Sequence, residues 1–375
     1  MRFVDVKGQL EIKELLVKIA DEKRVSHALL FAEEPGYGAL PLALAMVQYM
    51  ACKNKVNGDS CGVCPTCNKI QKLIHPDLHF SVPVNTTKKV TSDKKPVTDY
   101  FIEIWRANII SNPYISEEEW YESIGMEDKR GLISVNEAYE IIRKLSLMSY
   151  EGGDKFMVVW LPERMNREAA NKLLKILEEP APGTYFFMIT QSAGEILSTI
   201  LSRCQIVSIK PETISSLTSS ILNNFNLPEA DARYRAKEAA GSYGKALKLI
   251  RGSESENEYF VLFNDLLNHC LNKDLTSVIS LWEEVAALGR ERQKQFCEFS
   301  LDFLRKSYML SLNNEEVANI PKEELPRIKH WAQKINPNFY SKAYSALNNA
   351  IRDLERNVNS KFVFADLSNR FFISL

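Results

Sequence analysis

Apolar residues recur with helical spacing in some parts of the chain and form short continuous runs in others. Three apolar runs have the length and the flanking turn residues of buried strands, and segments with helical spacing alternate with them. The strand candidates are residues 27–32, 156–161 and 185–190, and the helix candidates are residues 9–21, 40–51 and 167–179. Strands that alternate with helices predict an α/β domain, with a parallel sheet that helices cover on both faces.

From about residue 210 onward, the pattern is helical almost throughout. Residues 213–250 predict a small helical bundle, and residues 259–375 predict four or five amphipathic helices. The polar stretch 251–258 between them is typical of a linker or a helix cap. We therefore predict three domains for the 375 residues: an α/β domain at 1–208, a small helical domain at 209–255 and a larger helical domain at 256–375.

The charge of the chain is balanced, with 47 Lys and Arg against 48 Asp and Glu. Domains that bind nucleic acid by neutralising phosphates usually carry a basic excess, so any contact with DNA is expected from a local patch or through partners. The longest apolar runs are far shorter than the ~20 residues of a membrane-spanning helix. The first residues lack the apolar region of a secretory signal, and we expect a cytoplasmic protein without membrane contact.

Four of the seven cysteines fall close together, with the spacing C-x8-C-x2-C-x2-C. Such spacing lets four thiolates converge on one tetrahedral Zn²⁺, and a site with four protein ligands has no open position for catalysis. The predicted ligands of this structural zinc are Cys52, Cys61, Cys64 and Cys67. His75 and His79 lie nearby and are alternative ligands, whereas Cys270 and Cys297 sit in helical patterns and are expected in the core.

The turn after the first strand candidate occupies the place of a phosphate-binding loop. Compared with the pattern G-x-x-x-x-G-K-[ST], Gly38 agrees, but Ala39 replaces the lysine and Leu40 replaces the hydroxyl residue that binds Mg²⁺. The second strand candidate ends in Trp160 and Leu161, where a nucleotide-hydrolysing domain carries acidic residues. Glu163 alone is a poor replacement, and we expect neither ATP hydrolysis nor bound ATP.

Arg203 follows the third strand candidate, away from any working phosphate loop of its own chain. An arginine can stabilise the transition state of phosphoryl transfer on a neighbouring subunit. A single arginine is more commonly a surface or ion-paired residue, and the spacing alone favours that simpler interpretation.

Residues 85–131 interrupt the α/β pattern. They begin with a basic run and continue with aromatic helical segments that include Trp105 and Trp120. Ser116 and Glu119 have the spacing of a capping box and predict a short helix. We interpret the segment as an insertion folded onto the surface. The alternative is a segment that contacts a partner or DNA, for which the candidates are Lys88, Lys89, Lys94 and Lys95.

Several motifs occur together and in one order. They are Gly8-Gln9, the stretch 24–31 (RVSHALLF), the turn at 36–38, the four cysteines, 171–175 (NKLLK), 177–180 (LEEP) and 202–204 (SRC). In this combination the sequence resembles the AAA+ clamp-loader subunits of bacterial DNA polymerase III. The resemblance covers residues 1–84 and 132–250, and it returns weakly near residues 354–361. The incomplete phosphate loop resembles the delta-prime branch of the family more than the ATP-hydrolysing gamma/tau branch.

This resemblance implies a RecA-like AAA+ domain at 1–208, a helical lid at 209–255 and a collar that joins subunits at 256–375. It implies a non-hydrolysing stator subunit that assembles with gamma/tau and delta subunits, and that acts on the sliding clamp and primed DNA through the complex. The isolated chain would have no activity of its own, although it would be a component of the polymerase III holoenzyme. Arg203 would face the ATP of the adjacent gamma/tau subunit, and Lys245 takes the basic position of the sensor-2 segment.

Two other interpretations stay open at this point. One is an active gamma/tau-like ATPase with an atypical nucleotide site, which Ala39, Leu40 and Trp160 disfavour. The other is a zinc-containing adaptor unrelated to replication, which rests on the cysteines alone.

Overall fold

The structure is a computed structural model, and it describes the chain except for residues 88–89, 92–93, 127–128, 252–253, 313–319 and 321–323; of residues 254–257 and 291 it describes only the backbone. The described residues form two compact units, Met1–Leu247 and Lys248–Leu375. The domain boundaries near residues 208 and 255 stay predictions. None of the described helices combines the length and the apolar character needed to cross a bilayer.

The first unit is built on one sheet, with the strands β1 Ala28–Ala32, β2 Leu78–Ser81, β3 Lys155–Trp160, β4 Thr184–Thr190 and β5 Gln205–Ser208. Their spatial order is β2-β3-β4-β1-β5, and each neighbouring pair is parallel. The predicted parallel sheet is therefore confirmed, including the three strands inferred from apolar runs. β2 and β5 were not predicted from the sequence.

The first unit also contains α-helices, several of which cover the two faces of the sheet. They are α1 Leu10–Asp21, α2 Ala39–Ala51, α3 Pro65–Gln71, α4 Ile102–Ser111, α5 Glu117–Ser123, α6 Val135–Ser146, α7 Arg167–Glu178, α8 Ser198–Leu201, α9 Ile214–Asn224, α10 Glu229–Glu238 and α11 Tyr243–Arg251, the last of which crosses the division between the units. Asn166 caps α7 as its sequence predicts, because its side chain accepts a hydrogen bond from Ala169 N.

Alternate residues of the strands point into two separate cores. On one face Phe31 and Phe187 pack with the apolar side chains of α2, and on the other Leu30 and Met188 pack with α6 and α7. Because both faces are buried, β3 and β4 consist of apolar residues along almost their whole length. This arrangement leaves the carboxyl ends of the strands, and the loops that follow them, as the place for functional groups.

Several of the described residues in the segment 85–131 are part of the core, so the interpretation of this segment as an insertion on the surface is wrong in this respect. Trp105 and Trp120 are fully buried, and the ring centroid of Trp105 lies 5.1 Å from that of Trp120 and 5.1 Å from that of Trp160. The capping box at Ser116 forms as predicted and begins α5. Of the basic residues proposed to contact a partner, Lys94 and Lys95 are exposed, and the other two lie outside the described residues.

The second unit is helical in its described part. Its helices are α12 Glu254–Leu271, α13 Leu275–Ala287, α14 Arg290–Ser311, α15 Leu325–Lys334, α16 Pro337–Glu355 and α17 Ser360–Ser374. α12 begins inside the stretch 251–258, so part of this predicted linker is helical. An aromatic core joins the helices, and the ring of Phe371 contacts the rings of Phe263 and Phe339 there. Cys270 and Cys297 are buried in this core, as predicted.

Candidate functional site

The four predicted cysteine ligands lie together beside the ends of two helices. Cys52 follows the last residue of α2, Cys64 is the N-cap residue of α3, and Cys67 lies in the first turn of α3. The four Sγ atoms all lie within 4.8 Å of one another, and those of Cys61 and Cys67 are 3.9 Å apart. Zinc bound to four sulfur atoms at about 2.3 Å places them about 3.8 Å from one another, so this cluster could hold such a metal ion.

Backbone amides point at the sulfur atoms of the cluster. Cys61 N donates to Cys52 Sγ at 3.3 Å, Cys64 N donates to Cys61 Sγ at 3.4 Å, and Cys67 N donates to Cys64 Sγ at 3.4 Å. The amides of Val63 and Cys64 lower the pKa of Cys61 to about 6, whereas burial raises the pKa of Cys67. Amides that favour the thiolate form also favour metal binding, because a metal binds the deprotonated sulfur.

The histidines considered as alternative ligands have other surroundings. His75 accepts a hydrogen bond from Asp77 N at Nδ1, and its Nε2 lies 3.2 Å from Glu151 Oε2. His79 lies on β2, where burial lowers its pKa to about 4. In the part of the chain that the structure describes, the metal-ligating cluster comprises the four cysteines and neither histidine.

The amino-terminal residues pack against the cysteine cluster, a contact that the sequence did not indicate. The carboxylate of Asp59 accepts hydrogen bonds from Phe3 N at 3.1 Å and from Val4 N at 2.9 Å. Gln48, on α2, donates to Ser60 Oγ at 2.9 Å beside the cluster. Asp59 therefore fastens the chain before α1 to the loop between α2 and α3, which carries Cys61 and Cys64 of the cluster.

A second group of polar contacts surrounds the turn between β1 and α2. Glu33 stands where the phosphate-binding pattern has its first glycine, and its Oε2 accepts a hydrogen bond from Ala39 N at 2.8 Å. The amides of Gly38 and Tyr37 also lower the pKa of this carboxyl group, although Tyr37 N itself donates to Glu34 O at 3.3 Å. Burial raises the pKa of Glu33 to about 7, and the three amides oppose that rise. The amides at the start of α2 are thus directed at a carboxyl group of the same chain.

The turn contacts the start of α11 directly. Gly244 N donates to Gly36 O at 3.0 Å, and Ser242 Oγ donates to Pro35 O at 2.8 Å. A Cβ atom on residue 244 would lie 2.9 Å from Gly36 Cα, so only glycine allows the two backbones to approach this closely. Lys245, the predicted sensor-2 residue, is exposed to solvent.

The carboxyl end of β3 is apolar, as the sequence predicted. Trp160 is buried in the aromatic cluster with Trp105, and Leu161 is fully buried. Glu163 contacts the end of β4 instead, where its Oε1 accepts a hydrogen bond from Gln191 N at 2.9 Å, and burial raises its pKa. The last residues of β3 therefore carry no carboxylate group.

Arg203 is held by its own chain. Its Nε donates to Glu178 Oε1 at 2.9 Å, Nη2 contacts the same oxygen, and Nη1 donates to Thr199 O at 2.6 Å. About 30% of its side chain is exposed, so the guanidinium is accessible from outside the first unit. Its action on a neighbouring subunit stays a prediction.

The sheet order, the glycine-containing turn before α2 and the helices that follow define an α/β domain of the AAA+ class. The family model described as "DNA polymerase III, delta subunit" matches residues 8–213, more than half of the chain. The chain therefore belongs to this family, and the resemblance to DNA polymerase III clamp-loader subunits is confirmed.

The individual relatives that the chain matches are also named as subunits of DNA polymerase III. The chain is 27% identical over 241 residues to DNA polymerase III subunit delta' of Escherichia coli, a match that covers 64% of this chain and 59% of that relative. It is 24% identical over 365 residues to the tau subunit of the same organism, over 92% of this chain and 50% of tau. The matches to four delta' relatives span between 41% and 64% of their lengths.

One of the solved structures that the chain matches is a gamma-subunit-related protein of Thermotoga maritima. It has a TM-score of 0.41 and 16% sequence identity, and the match covers 96% of this chain and 99% of that one.

Proposed function

We propose that the chain is a non-hydrolysing, delta-prime-type subunit of a bacterial replicative clamp loader. The observation that carries this proposal is the turn between β1 and α2. It lacks the lysine and the hydroxyl residue of the phosphate-binding pattern, and its amides are directed at the carboxyl group of Glu33. A triphosphate would meet an acidic side chain there instead of a cation.

The proposed partners are gamma/tau and delta subunits, and the proposed substrates of the whole assembly are the sliding clamp and primed DNA. The names of the relatives support these partners, since they include delta', tau and gamma subunits. Similarity to tau over 92% of the chain is the observation in favour of the second candidate, an active gamma/tau-like ATPase.

Within this assembly, we assign Arg203 as a residue that contacts the ATP of an adjacent subunit. Its exposed guanidinium and its position on the short segment between α8 and β5 support that role. We further assign a structural Zn²⁺ to the four cysteines, a proposal that the spacing of their sulfur atoms supports.

Reconstitution with gamma/tau and delta subunits of the same organism tests the proposed function. With clamp and primed DNA present, we expect the native chain to stimulate ATP hydrolysis, and Arg203→Ala to lower the rate by up to about 10³–10⁵-fold. The matched control is Arg143→Ala, which also removes an exposed arginine paired with a glutamate, here Glu140.

Gel filtration should show that both variants assemble normally. Equal ATPase rates for the Arg203→Ala and native assemblies would exclude the role of Arg203. ATP turnover by the isolated native chain that is lost in Gly38→Ala would favour the gamma/tau-like alternative.

A further inference from the structure

The amides at the start of α2 form a site of the kind that binds phosphate. Helix α2 is thirteen residues long, its N-cap residue Gly38 has a φ of 108°, and Gly36 has a φ of 84°. Left-handed glycines of this kind turn successive N–H groups toward one point, where they and the helix dipole attract an anion.

In this chain an anionic group already lies at that point. Oε2 of Glu33 is 2.8 Å from Ala39 N, a distance typical of a charge-assisted hydrogen bond, and the amides of Gly38 and Tyr37 also favour the ionised form of this carboxyl group by lowering its pKa. The phosphate-binding pattern has glycine at this position, which has no side chain to reach the amides. The glutamate therefore supplies from within the loop the negative charge that a phosphate would bring.

The surroundings of the turn fit a loop closed without a ligand. Gly36 and Gly244 are in direct backbone contact, and Ser242 is hydrogen-bonded to Pro35. On the other side, a Cβ atom on residue 38 would lie 3.2 Å from the ring of Tyr114. The loop, the start of α11 and Tyr114 thus pack closely around the turn.

We propose that Glu33 makes an autoinhibitory contact: its carboxylate occupies the phosphate position of the loop and excludes phosphate groups from it. This inference goes beyond the proposed function, because it concerns why the loop is closed and not what the chain does for its neighbours. It holds or fails in the isolated chain, whereas the proposed function is tested in the assembly through Arg203.

The test measures binding of inorganic phosphate to the isolated full chain at about pH 8, where the Glu33 carboxyl is ionised. Thermal unfolding is followed while phosphate replaces chloride at constant ionic strength. We expect Glu33→Gly to bind phosphate at least about tenfold more tightly than the native chain, a difference of about 1.4 kcal/mol. Glu34→Gly is the matched control: it removes the same charge from the neighbouring, exposed position and should behave like the native chain.

Hydrogen exchange of residues 33–40 gives a second readout. The Ala39 amide should exchange at least about tenfold faster in Glu33→Gly than in the native chain, and phosphate should restore its protection. If Glu33→Gly does not fold, Glu33→Gln is used, since the neutral amide keeps the shape of the side chain; faster exchange than in the native chain supports the proposal.

Two results would overturn the inference. One is phosphate binding of equal strength in the native chain and in Glu33→Gly, including the case in which neither binds. The other is unchanged protection of the Ala39 amide after Glu33 is replaced by either residue.

Discussion

The sulfur atom of Cys64 has two roles in the structure. It belongs to the cluster of four cysteines, and it accepts the hydrogen bond from Cys67 N that caps α3. A serine at this position would keep a capping acceptor but would replace a soft thiolate by a hydroxyl, which is a poor zinc ligand. The capping role and the metal-binding role can therefore be separated by one substitution.

We expect Cys64→Ser to lose the bound metal. Elemental analysis should find about one zinc ion per native chain and much less in the variant, with a lower Tm because a structural metal contributes directly to folding. Cys204→Ala is the control, since Cys204 lies outside the cluster. Equal zinc content in the native chain and in Cys64→Ser would contradict the assignment.

At the residue scale, the clustering of the four cysteines could be predicted from their spacing alone. A metal site with such short loops depends on local geometry, and Cys61, Cys64 and Cys67 lie within seven consecutive residues. The role of Glu33 could not be predicted in this way. In a motif comparison it is simply a mismatch, and only the folded turn shows that its side chain reaches back to Ala39 N.

At the scale of the elements, a close backbone contact joins the turn before α2 to the first residues of α11. A Cβ atom on residue 244 would meet Gly36 Cα at 2.9 Å and Tyr114 O at 3.1 Å, both of which are backbone atoms that cannot rotate away. In an ordinary helix, alanine is more favourable than glycine by about 1 kcal/mol. At this position, the steric overlap opposes that preference.

We therefore expect Gly244→Ala to destabilise the protein, by about 1–3 kcal/mol of unfolding free energy, as overpacking commonly does. Chemical denaturation monitored by circular dichroism would measure the change. Gly153→Ala is the matched control, because an added Cβ there has no neighbour within 4 Å. A stabilised Gly244→Ala variant would mean that the two backbones are not in tight contact.

The elements that could be predicted from the sequence are those in which apolar residues fill the buried positions. β3 and β4 are covered on both faces, so apolar residues fill them and the strands are evident. β5 has only four residues, of which Val207 alone is buried, and β2 includes His79 and Ser81. Neither strand shows a recognisable apolar run, because tertiary pairing and not local pattern forms them.

On the scale of the whole molecule, the chain has separate hydrophobic cores in its two units. The clusters around the sheet contain residues up to Ile209, whereas the core of the second unit begins at Tyr259 and includes Phe371. Each described core is thus built from residues of one unit. A unit of about 120 residues with its own core is of the size that folds independently.

We expect a fragment of residues 254–375 to fold without the rest of the chain. Circular dichroism should show a helical spectrum and a cooperative thermal transition, because the aromatic core of this unit is complete within the fragment. A companion fragment of residues 1–251 should retain the metal of the cysteine cluster. A gradual, non-cooperative transition of the first fragment would show that its core needs the other unit.

The ring contacts between Trp160 on β3 and the nearby tryptophans limit which sequence changes related chains can tolerate. Trp160 belongs to the sheet, while Trp105 and Trp120 belong to the segment that follows β2. A descendant that lost this segment would expose the indole of residue 160 to water, and one that replaced Trp160 by a smaller residue would leave a cavity beside the ring of Trp105. Gain or loss of the segment is therefore coupled to the identity of residue 160, so the two features are expected to be inherited together.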